Sequence, residues 1–474
     1  MAYPKIIQGG MGVAVSSWKL ANAVSRRGQL GVISGTGIGI VMASRLMYGD
    51  EGGHVRRALS HFPLRDVAER LIDKYYIEGG LPEGKSYKQP QMWTIKPSQL
   101  LLDITVAGNF VEVWLAKEGH NNPVGINLLE KVQLPNLASL YGAMLADVDY
   151  VIMGAGIPMQ IPGALDNFVT HQASDYRLDV KGAGDESIIY TFDPQTSYPN
   201  AAEIVSDLKR PLFLPIVSSV VLALALRKRA NGEINGFVIE MPVAGGHNAP
   251  PRGNYPINER GEPVYGEKDE VKLAKFRKME LPFWLAGGYG SPEKLQEAID
   301  DGAQGIQVGT AFAFCDESGF DKIVRERVVA QVLEGEAEVV TSSTVSPTGF
   351  PFKVVQVPGT LSDSEVYERR NRICDIGYLR HLYKDEKGRI GYRCPAEPVK
   401  AYVKKGGTEA ETVGRACLCN HLGAAAGLPQ IRKDGYHEPV IVTSGDDLPQ
   451  ITRFIPEGQA HYTANDVLDV LLGV

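Results

Sequence analysis

FWLAGGYGSPEKLQEAIDDGAQGIQVGTAF, residues 283–312, is the stretch that decides the fold. Two short apolar runs, Phe283 to Gly287 and Gly305 to Thr310, end in glycines or Gly-Thr and flank one amphipathic segment. In that segment Ser291 is predicted as an N-cap followed by proline at the first helical position, so we expect a helix from Pro292 to Asp301. Strand, helix and strand in this order predict a parallel β/α/β unit.

The same alternation extends from residue 1 to about residue 320. Runs rich in Val and Ile predict buried parallel strands, at Lys5 to Gln8, Leu30 to Ser34, Val124 to Leu129, Tyr150 to Gly154, Leu212 to Ser218, Phe237 to Met241, Phe283 to Gly287 and Gly305 to Thr310. Helices are predicted between them, including Trp18 to Arg27, Pro135 to Ala146 and Val220 to Ala230. Eight β-then-α units predict an α/β fold closed into a (β/α)8 TIM barrel.

Three stretches are too long for the minimal unit and are predicted to be insertions in βα loops, at about residues 37–98, 170–200 and 248–278. Loops that follow strands build the active face of this fold, so we expect the insertions to cover or line the site, with surface decoration as the alternative. The first insertion is either a lid or a subunit contact of a homo-oligomer. After about residue 345 the sequence becomes irregular, which predicts a barrel over residues 1–340 and a cysteine-containing C-terminal unit over residues 345–474.

Composition and charge favour an ordinary globular protein. Apolar residues make up 44% of the chain and charged residues 22%, which is enough for a large core. Forty-nine basic and 56 acidic side chains give a net charge of −7 without a long basic run, so a nucleic acid partner is not expected. No export signal is visible and no apolar run approaches ~20 residues, so we expect a cytoplasmic protein without a membrane segment.

Glycines after the last two predicted strands predict a phosphate site. Gly287 and Gly288 lie in LAGGYG, and Gly309 and Thr310 lie in GIQVGTAF. A phosphate needs several backbone N–H donors at close range, and glycine allows that approach because no Cβ intervenes. In an α/β barrel the loops after strands seven and eight commonly form such a site, whereas tight turns are the alternative. A dinucleotide fold is disfavoured because no GxGxxG opens a helix after the first strand.

His247 is the candidate for acid–base chemistry. It follows two glycines in VAGGHNAPPRG, just beyond the sixth strand, where a histidine can act as a general base near neutral pH. A structural histidine is the alternative. Asn248 and Arg252 on the same loop are candidates to orient an anionic small-molecule substrate, although an arginine in such a loop is often only solvated.

Four further residues are candidates to contact a flat heteroaromatic ring. Gly10 follows the first strand in IIQGGMGV, so its backbone can lie against a ring while Met11 supplies polarizable packing. Asn127 ends the third strand and Gln307 lies within the eighth. Their amides both donate and accept hydrogen bonds, which suits the edge of such a ring. A glycine turn, a core methionine and ordinary barrel amides are the alternatives.

The C-terminal cysteines form the only cysteine cluster. Cys374, Cys394, Cys417 and Cys419 lie in RICDIG, YRCPAEP and ACLCNHLG, whereas Cys315 belongs to the barrel. Four thiolates could close around zinc or an iron–sulfur cluster, but the spacing lacks a CxxC knuckle. Unpaired structural thiols and disulfides therefore stay open as alternatives.

The order IIQGGMGV, LGVISGTG, VGINLL, IVSS, AGGHN, LAGGYG and GIQVGTAF resembles the nitronate monooxygenase (2-nitropropane dioxygenase) family, which includes flavin-dependent enoyl-acyl-carrier-protein reductases and relatives in polyunsaturated fatty acid and polyketide synthesis. The resemblance implies a barrel that holds FMN at the C-terminal ends of its strands. It implies His247 as the base or proton donor, the glycines and Thr310 at the phosphate, and Gly10, Met11, Asn127 and Gln307 at the ring or its linker. Ser218 falls where the family's fifth strand meets the flavin.

Two chemistries follow from the resemblance. A nitronate enzyme passes electrons from a carbanion-like substrate to FMN and then to dioxygen, and this is the predicted function. An enoyl reductase instead reduces FMN with NAD(P)H and delivers hydride to a conjugated thioester carried by an acyl-carrier protein. The family often has Glu before AGGH where this chain has Val243, and the insertions and C-terminal unit bring its size closer to the synthase-associated reductases. A catalytically silent flavin-binding scaffold subunit is the alternative of another class.

Overall fold

All eight predicted strand segments form strands of one parallel sheet in the computed structural model, which describes residues 3–474. We number these barrel strands β1 to β8. Their bounds are β1 Ile6–Gln8, β2 Gly31–Ser34, β3 Val124–Leu129, β4 Tyr150–Gly154, β5 Leu212–Val217, β6 Phe237–Glu240, β7 Phe283–Ala286 and β8 Gly305–Val308. Neighbours along the chain are neighbours in the sheet, with β8 beside β1.

The sheet closes between β1 and β2. The Leu30 amide donates to the Ile6 carbonyl at 3.0 Å, and the Gln8 amide donates to the Leu30 carbonyl at 2.9 Å. The Gln8 side chain reinforces the seam, because its Oε1 accepts from the Val32 amide at 3.0 Å. The predicted (β/α)8 barrel is therefore confirmed.

Side chains of each barrel strand alternate between an inner and an outer core. In β7, Phe283 and Leu285 pack outward against helices, whereas Trp284 and Ala286 point into the barrel. Because both faces of a parallel sheet are buried, its strands are apolar at almost every position. This explains why the strands were recognisable as continuous apolar runs.

At the carboxyl ends of the strands the inward positions become polar. Ser34, Asn127, Glu240 and Gln307 occupy these positions on β2, β3, β6 and β8. Below them the interior is filled by a purely apolar cluster that includes Trp284. A buried polar group costs free energy unless it is hydrogen-bonded. The change from apolar to polar lining therefore marks this end of the barrel as a place for a polar ligand.

Helices surround the barrel and build the segments beyond it. The predicted helices begin within two residues of their observed starts, and the Ser291 hydroxyl accepts from the Lys294 amide as the predicted N-cap. The α-helices are Trp18–Arg26, Ile38–Met47, His54–Leu59, Arg65–Tyr75, Gln99–Lys117, Gln133–Leu145, Ile161–Val169, Pro194–Ser197, Ala201–Ile204, Val220–Arg229, Leu273–Arg277, Pro292–Asp300, Thr310–Ala313, Lys322–Leu333, Ser364–Arg369, Val399–Lys404, Leu418–Ala425 and Ala464–Leu472. Short 3₁₀ helices lie at Glu51–Gly53, Glu267–Asp269, Ala410–Thr412 and Leu448–Phe454.

Helix Gln99–Lys117 was not expected from the sequence and is long and apolar enough to cross a membrane. It is buried over 83% of its most apolar window and packs against Ile38–Met47 and Gln133–Leu145. Its acidic residues Asp103 and Glu112 form ion pairs with arginines of neighbouring helices. Those charges interrupt the apolar sequence, so no long apolar run stood out. In this structure the segment is a core helix.

The insertions and the C-terminal residues share structure. In the second insertion, strands Ser174–Leu178 and Ile188–Phe192 pair antiparallel, and the short strand Val180–Lys181 pairs with C-terminal strand His381–Lys384. The latter also pairs with Ile390–Arg393. The third insertion contains only a short helix and a 3₁₀ turn.

The end of the chain returns to the barrel. Strands Val339–Ser342 and Phe352–Val355 form a hairpin, whereas the last helix, Ala464–Leu472, packs beside Trp18–Arg26 and Pro292–Asp300. An ion pair of 2.6 Å between Arg27 and Asp469 joins this last helix to the outer ring. The boundary between a barrel over residues 1–340 and a unit over residues 345–474 stays a prediction.

Candidate active site

A cavity of about 270 Å³ opens at the carboxyl end of the barrel. Residues at or just beyond the ends of all eight strands line it, together with residues from the first insertion and the C-terminal unit. Nine of the residues singled out from the sequence line this cavity: Gly10, Met11, Asn127, His247, Gly287, Gly288, Gln307, Gly309 and Thr310. Segments separated by up to 300 residues therefore meet where the sequence predicted a site.

Three other predicted residues lie outside this cavity. Ser218, Asn248 and Arg252 line a neighbouring space of only about 20 Å³. The Arg252 guanidinium is already engaged, because it donates to the Ser218 carbonyl at 2.6 Å and to the Lys268 carbonyl. An arginine occupied in this way is poorly placed to reach a substrate in the larger cavity. The roles assigned to these three residues stay predictions.

His247 is fixed from behind by the C-terminal hairpin. Its Nε2 lies 2.6 Å from the hydroxyl of Ser346, which is itself 0% exposed. The ring of Phe352 packs edge-on against the imidazole with 4.9 Å between centroids. Nδ1 is the ring nitrogen without a hydrogen-bond partner among residues 3–474. The geometry therefore leaves one nitrogen of an oriented imidazole for chemistry in the cavity.

The surroundings of His247 disfavour its charged form. Burial lowers the pKa of His247 well below the usual range, and the positive charge of Lys131 lowers it further. The Lys131 ammonium has no hydrogen-bond partner in the described chain and stands 3.7 Å from the centre of the Phe350 ring. Burial also lowers the pKa of Lys131 to about 8. His247 is therefore neutral at neutral pH.

Glu240 is a second titratable group of the cavity, which sequence reasoning missed. It is the last residue of β6, points inward and lines both the large and the small cavity. Burial raises the pKa of its carboxyl to about 7. The signal available in the sequence was an acid at an inward position of an otherwise apolar strand. A carboxyl with such a pKa can exchange a proton near neutral pH.

The predicted phosphate end combines glycine loops with a C-terminal loop. Gly287 and Gly288 have φ angles of 87° and 77°, which L side chains rarely adopt. Here Thr310 donates its hydroxyl to the Asp447 carboxyl at 2.6 Å and accepts from the Gly445 amide at 3.1 Å. Burial raises the pKa of Asp447. Among residues 3–474, no lysine or arginine lines the cavity. Backbone amides and hydroxyls therefore supply the hydrogen-bond donors at this end.

The cavity floor also contains polar atoms that the protein leaves unsatisfied. Gln307 Oε1 and the Ser444 hydroxyl are buried without a hydrogen-bond partner. Gly10 lies so close to Asn127 that a Cβ at position 10 would meet the Asn127 Cβ at 2.3 Å. Asn127 therefore leaves no room for a side chain at position 10, and the ring contacts assigned to both residues stay predictions. A ligand or water in the cavity can complete the hydrogen bonds of such atoms.

The outer wall of the cavity includes residues that the sequence did not single out as site residues. Tyr87 of the first insertion and Tyr378, Leu379 and Leu422 of the C-terminal unit line it. The first insertion thus lines the cavity as expected, and the third borders only the small space beside it. The second insertion does not contribute to either lining. An apolar outer wall over a polar floor suits a ligand with one apolar side.

The four C-terminal cysteines gather beside this wall. Cys374, Cys394, Cys417 and Cys419 pack in one cluster, and Cys419 lines the cavity. All are free thiols. In the part of the chain that the structure describes, no group of three or more His, Cys, Asp or Glu side chains is arranged to hold a metal ion. The four thiols lie close together without the arrangement of a metal site, so the zinc or iron–sulfur alternative stays a prediction.

Comparisons with known proteins relate the chain to one family. Residues 157–348 match the family model described as nitronate monooxygenase. A nitronate monooxygenase from Pseudomonas aeruginosa is 35% identical over 111 residues, which are 23% of this chain and 30% of that protein. The chain thus matches less than a third of the length of this relative. These matches support the predicted resemblance to the nitronate monooxygenase family over part of the chain.

Solved structures of low identity were also found. FabK from Thermotoga maritima has a TM-score of 0.47 at 15% identity, with 100% of this chain and 92% of that chain covered. Nitroalkane oxidase from Streptomyces ansochromogenes has a TM-score of 0.46 at 15% identity, with 99% and 95% covered. Likenesses this distant carry no argument about activity.

Proposed function

Because the chain is a relative of the nitronate monooxygenase family through residues 157–348, we propose that it is an FMN-dependent oxidoreductase that oxidises alkyl nitronates with dioxygen. The observation that carries this proposal is His247, a neutral imidazole oriented by Ser346 with one nitrogen free at a polar cavity. Such a group can hold a substrate proton next to a redox cofactor.

The residues of the cavity fit a flavin. The unsatisfied Gln307 Oε1 supplies an acceptor for a ring N–H group, and the Gly10 backbone offers the close approach that a flat ring needs. Gly287, Gly288 and the Thr310 hydroxyl would hold the phosphate through hydrogen bonds. When bound, FMN supplies the electron-accepting centre that can pass electrons to dioxygen.

His247 would manage the substrate proton. Burial and Lys131 keep the imidazole neutral in the free protein. The negative charge of a nitronate beside it would raise that pKa again, because an opposite charge favours the protonated form. His247 would therefore hold a proton only while the anionic substrate is present, with Ser346 accepting from Nε2 and Nδ1 facing the substrate. We therefore propose the nitronate, rather than the neutral nitroalkane, as the form that gives up electrons.

A test of the proposal uses His247→Ala in the flavin-loaded protein. We expect turnover of an alkyl nitronate to fall by roughly 10²-fold or more, because the group that holds the proton is lost. The matched control is His437→Ala, which removes an exposed histidine that does not line the cavity. Unchanged turnover in His247→Ala would contradict the assignment and favour a catalytically silent flavin-binding scaffold subunit.

An NAD(P)H-dependent enoyl-thioester reductase is the second candidate. The apolar outer wall, which includes Leu379, Leu422 and Leu428, favours it because an acyl chain delivered by an acyl-carrier protein would find aliphatic contacts there. The two candidates differ in their electron donor. Anaerobic bleaching of bound flavin by an alkyl nitronate, without bleaching by NADPH or NADH, supports nitronate oxidation. Bleaching by the nicotinamide alone supports the reductase.

A further inference from the structure

Glu240 stands between the large cavity and the small space of about 20 Å³ beside it. It is the last residue of β6 and lines both spaces. Burial is the only cause that raises the pKa of its carboxyl, since no hydrogen bond or charge from residues 3–474 offsets it. Buried carboxyls are ordinarily hydrogen-bonded or paired with a charge. The Glu240 carboxyl therefore has hydrogen-bonding capacity that the protein itself does not use.

The small space has the size and the lining of a site for one water molecule. Its volume of about 20 Å³ exceeds the roughly 10–15 Å³ that a water requires. Asn248 lines this space and is only 2% exposed, and its Oδ1 is buried without a hydrogen-bond partner among residues 3–474. The amide is held in this orientation because its Nδ2 donates to the Ala244 carbonyl at 2.9 Å. Asn248 Oδ1 and the Glu240 carboxyl together give a water the polar partners that a buried water needs.

The small space leads outward to exposed residues. The exposed Arg252 and the half-buried Asp269 line it, and the Asp269 carboxylate accepts from the Arg252 amide at 2.9 Å. Tyr265 lies in the same lining, and burial, followed by the charges of Asp269 and Glu240, raises the pKa of Tyr265. The Glu240 carboxyl is thus close enough to act on the outer wall of the small space. The other acidic and basic side chains that line the two spaces are Arg252, Asp269, His247 and Asp447.

We propose that Glu240 relays protons between the large cavity and solvent through one water molecule, bound in the small space between its carboxyl and Asn248 Oδ1. In the outward direction the carboxyl O–H bond breaks and a new O–H bond to the water forms. The water then passes one of its own protons to solvent at the edge formed by Arg252 and Asp269. The inward direction reverses these steps, and the carboxylate takes up the proton. No electrons move in either direction.

The water site and the proton exchange of the carboxyl stand without a flavin, whereas the use of the relay in turnover rests on the proposed function. Dioxygen takes up protons when it is reduced. The one free nitrogen of His247 is assigned to the substrate, because Ser346 occupies the other. A separate carboxyl with access to solvent supplies protons to the cavity without disturbing that imidazole.

Two measurements on the flavin-free, full-length protein test the water site and the carboxyl. In a crystal structure we expect one ordered water within hydrogen-bonding distance of both Asn248 Oδ1 and the Glu240 carboxyl. In infrared difference spectra between about pH 5 and pH 9, we expect the C=O band of a protonated carboxyl, which shifts in D₂O. The band should be absent from Glu240→Gln and unchanged in the control Glu457→Gln, which alters an exposed glutamate.

Two variants test the relay while the flavin-loaded protein turns over an alkyl nitronate. Ala249 lines the small space, so Ala249→Leu fills that space while Glu240 keeps its carboxyl. In Ala249→Leu and in Glu240→Gln we expect kcat to fall by about tenfold, with a larger solvent deuterium isotope effect and little change in KM. Formic acid, a small diffusible proton carrier, should restore most of the lost rate. The matched control Ala202→Leu makes the same change at an exposed position that lines neither space, and it should keep the kcat of the parent.

Several results would overturn the relay. One is a small space without an ordered water, or a water bonded to only one of the two groups. Another is a carboxyl band that survives in Glu240→Gln. A fall in kcat that formic acid does not restore, with an unchanged isotope effect, would assign Glu240 a purely structural role. Circular dichroism checks that the variants fold, and the two measurements on the unsubstituted protein stand without them.

Failure of the relay and failure of the proposed function give different results. If the water and the carboxyl band are found but no nitronate is oxidised, the proposed function is wrong and the site formed by Glu240, Asn248 and water stands. If Ala249→Leu and Glu240→Gln oxidise nitronate as fast as the parent, the proposed function stands and the relay is wrong.

Discussion

The raised pKa of Glu240 predicts that this side chain destabilises the folded protein at alkaline pH. Burial raises the pKa from 4.5 to about 7. Between these values the folded protein keeps a proton that the unfolded chain has lost, so the free energy of unfolding falls as the pH rises and levels off above 7. At about 1.4 kcal/mol for each tenfold change in proton affinity, the loss reaches about 3 kcal/mol. This is an upper limit, because Glu240 faces a cavity that water can enter.

Glu240→Gln removes this proton equilibrium while keeping the shape of the side chain. We expect the variant, measured without flavin, to gain up to about 3 kcal/mol over the parent protein between pH 4 and pH 8. Urea unfolding at a series of pH values measures that difference. The control is Glu457→Gln, which alters an exposed glutamate and should leave the pH dependence parallel to that of the parent.

Two outcomes would refute the reasoning about Glu240. If Glu240→Gln and the parent have parallel stability curves across this range, the carboxyl does not titrate near pH 7. If the variant loses stability at alkaline pH, the charged carboxylate has a stabilising partner that the structure does not contain.

Two further predictions concern groups contributed by the C-terminal unit. Ser346→Ala frees Nε2 of His247, so we expect kcat for an alkyl nitronate to fall by about tenfold while KM changes little; steady-state kinetics would contradict this if KM alone changed. For Asp447→Asn we expect FMN to bind about tenfold more tightly than to the parent at pH 8.5, because a carboxylate near the predicted phosphate end repels it. The gain should shrink as the pH is lowered, because burial raises the pKa of Asp447 and so favours its neutral form; equal affinity of both proteins at every pH, measured by flavin fluorescence, would contradict it.

The barrel could be predicted because each of its strands and helices is determined by residues that are close together in the sequence. Each strand of the sheet is a short apolar run. Ser291 caps its helix through a hydrogen bond from the Lys294 amide, only three residues further along the chain. The cavity residues that follow strands, such as His247 and Thr310, could also be predicted. In a closed parallel barrel all carboxyl ends meet at one face, so position on a strand is enough to bring such residues together.

The other half of the site could not be predicted in this way. Ser346 reaches His247 across 99 positions of sequence, and Asp447 reaches Thr310 across 137. No periodicity links a serine in an irregular hairpin to a histidine after a strand. Glu240 was missed for a different reason: the sequence shows an acid at the end of an apolar strand, but the burial that raises its pKa is visible only in the structure. Cys419 was noticed, but its spacing from other cysteines did not reveal that it faces the cavity.

The loop from Thr443 to Asp447 is one of the segments that join the C-terminal unit to the cavity loops of the barrel. The Thr443 hydroxyl accepts from the Gly246 amide at 3.0 Å, next to His247. Asp446 pairs at 2.7 Å with Lys353, whose side chain is only 2% exposed. Since Lys353 lies on the hairpin that orients His247, the loop connects both ends of the cavity through a buried charge. Leaving that charge unpaired would be costly. The polar contacts of this loop therefore link Asp447, at the predicted phosphate end, to the residues that orient the His247 imidazole. The barrel without its C-terminal residues would contain only part of the site.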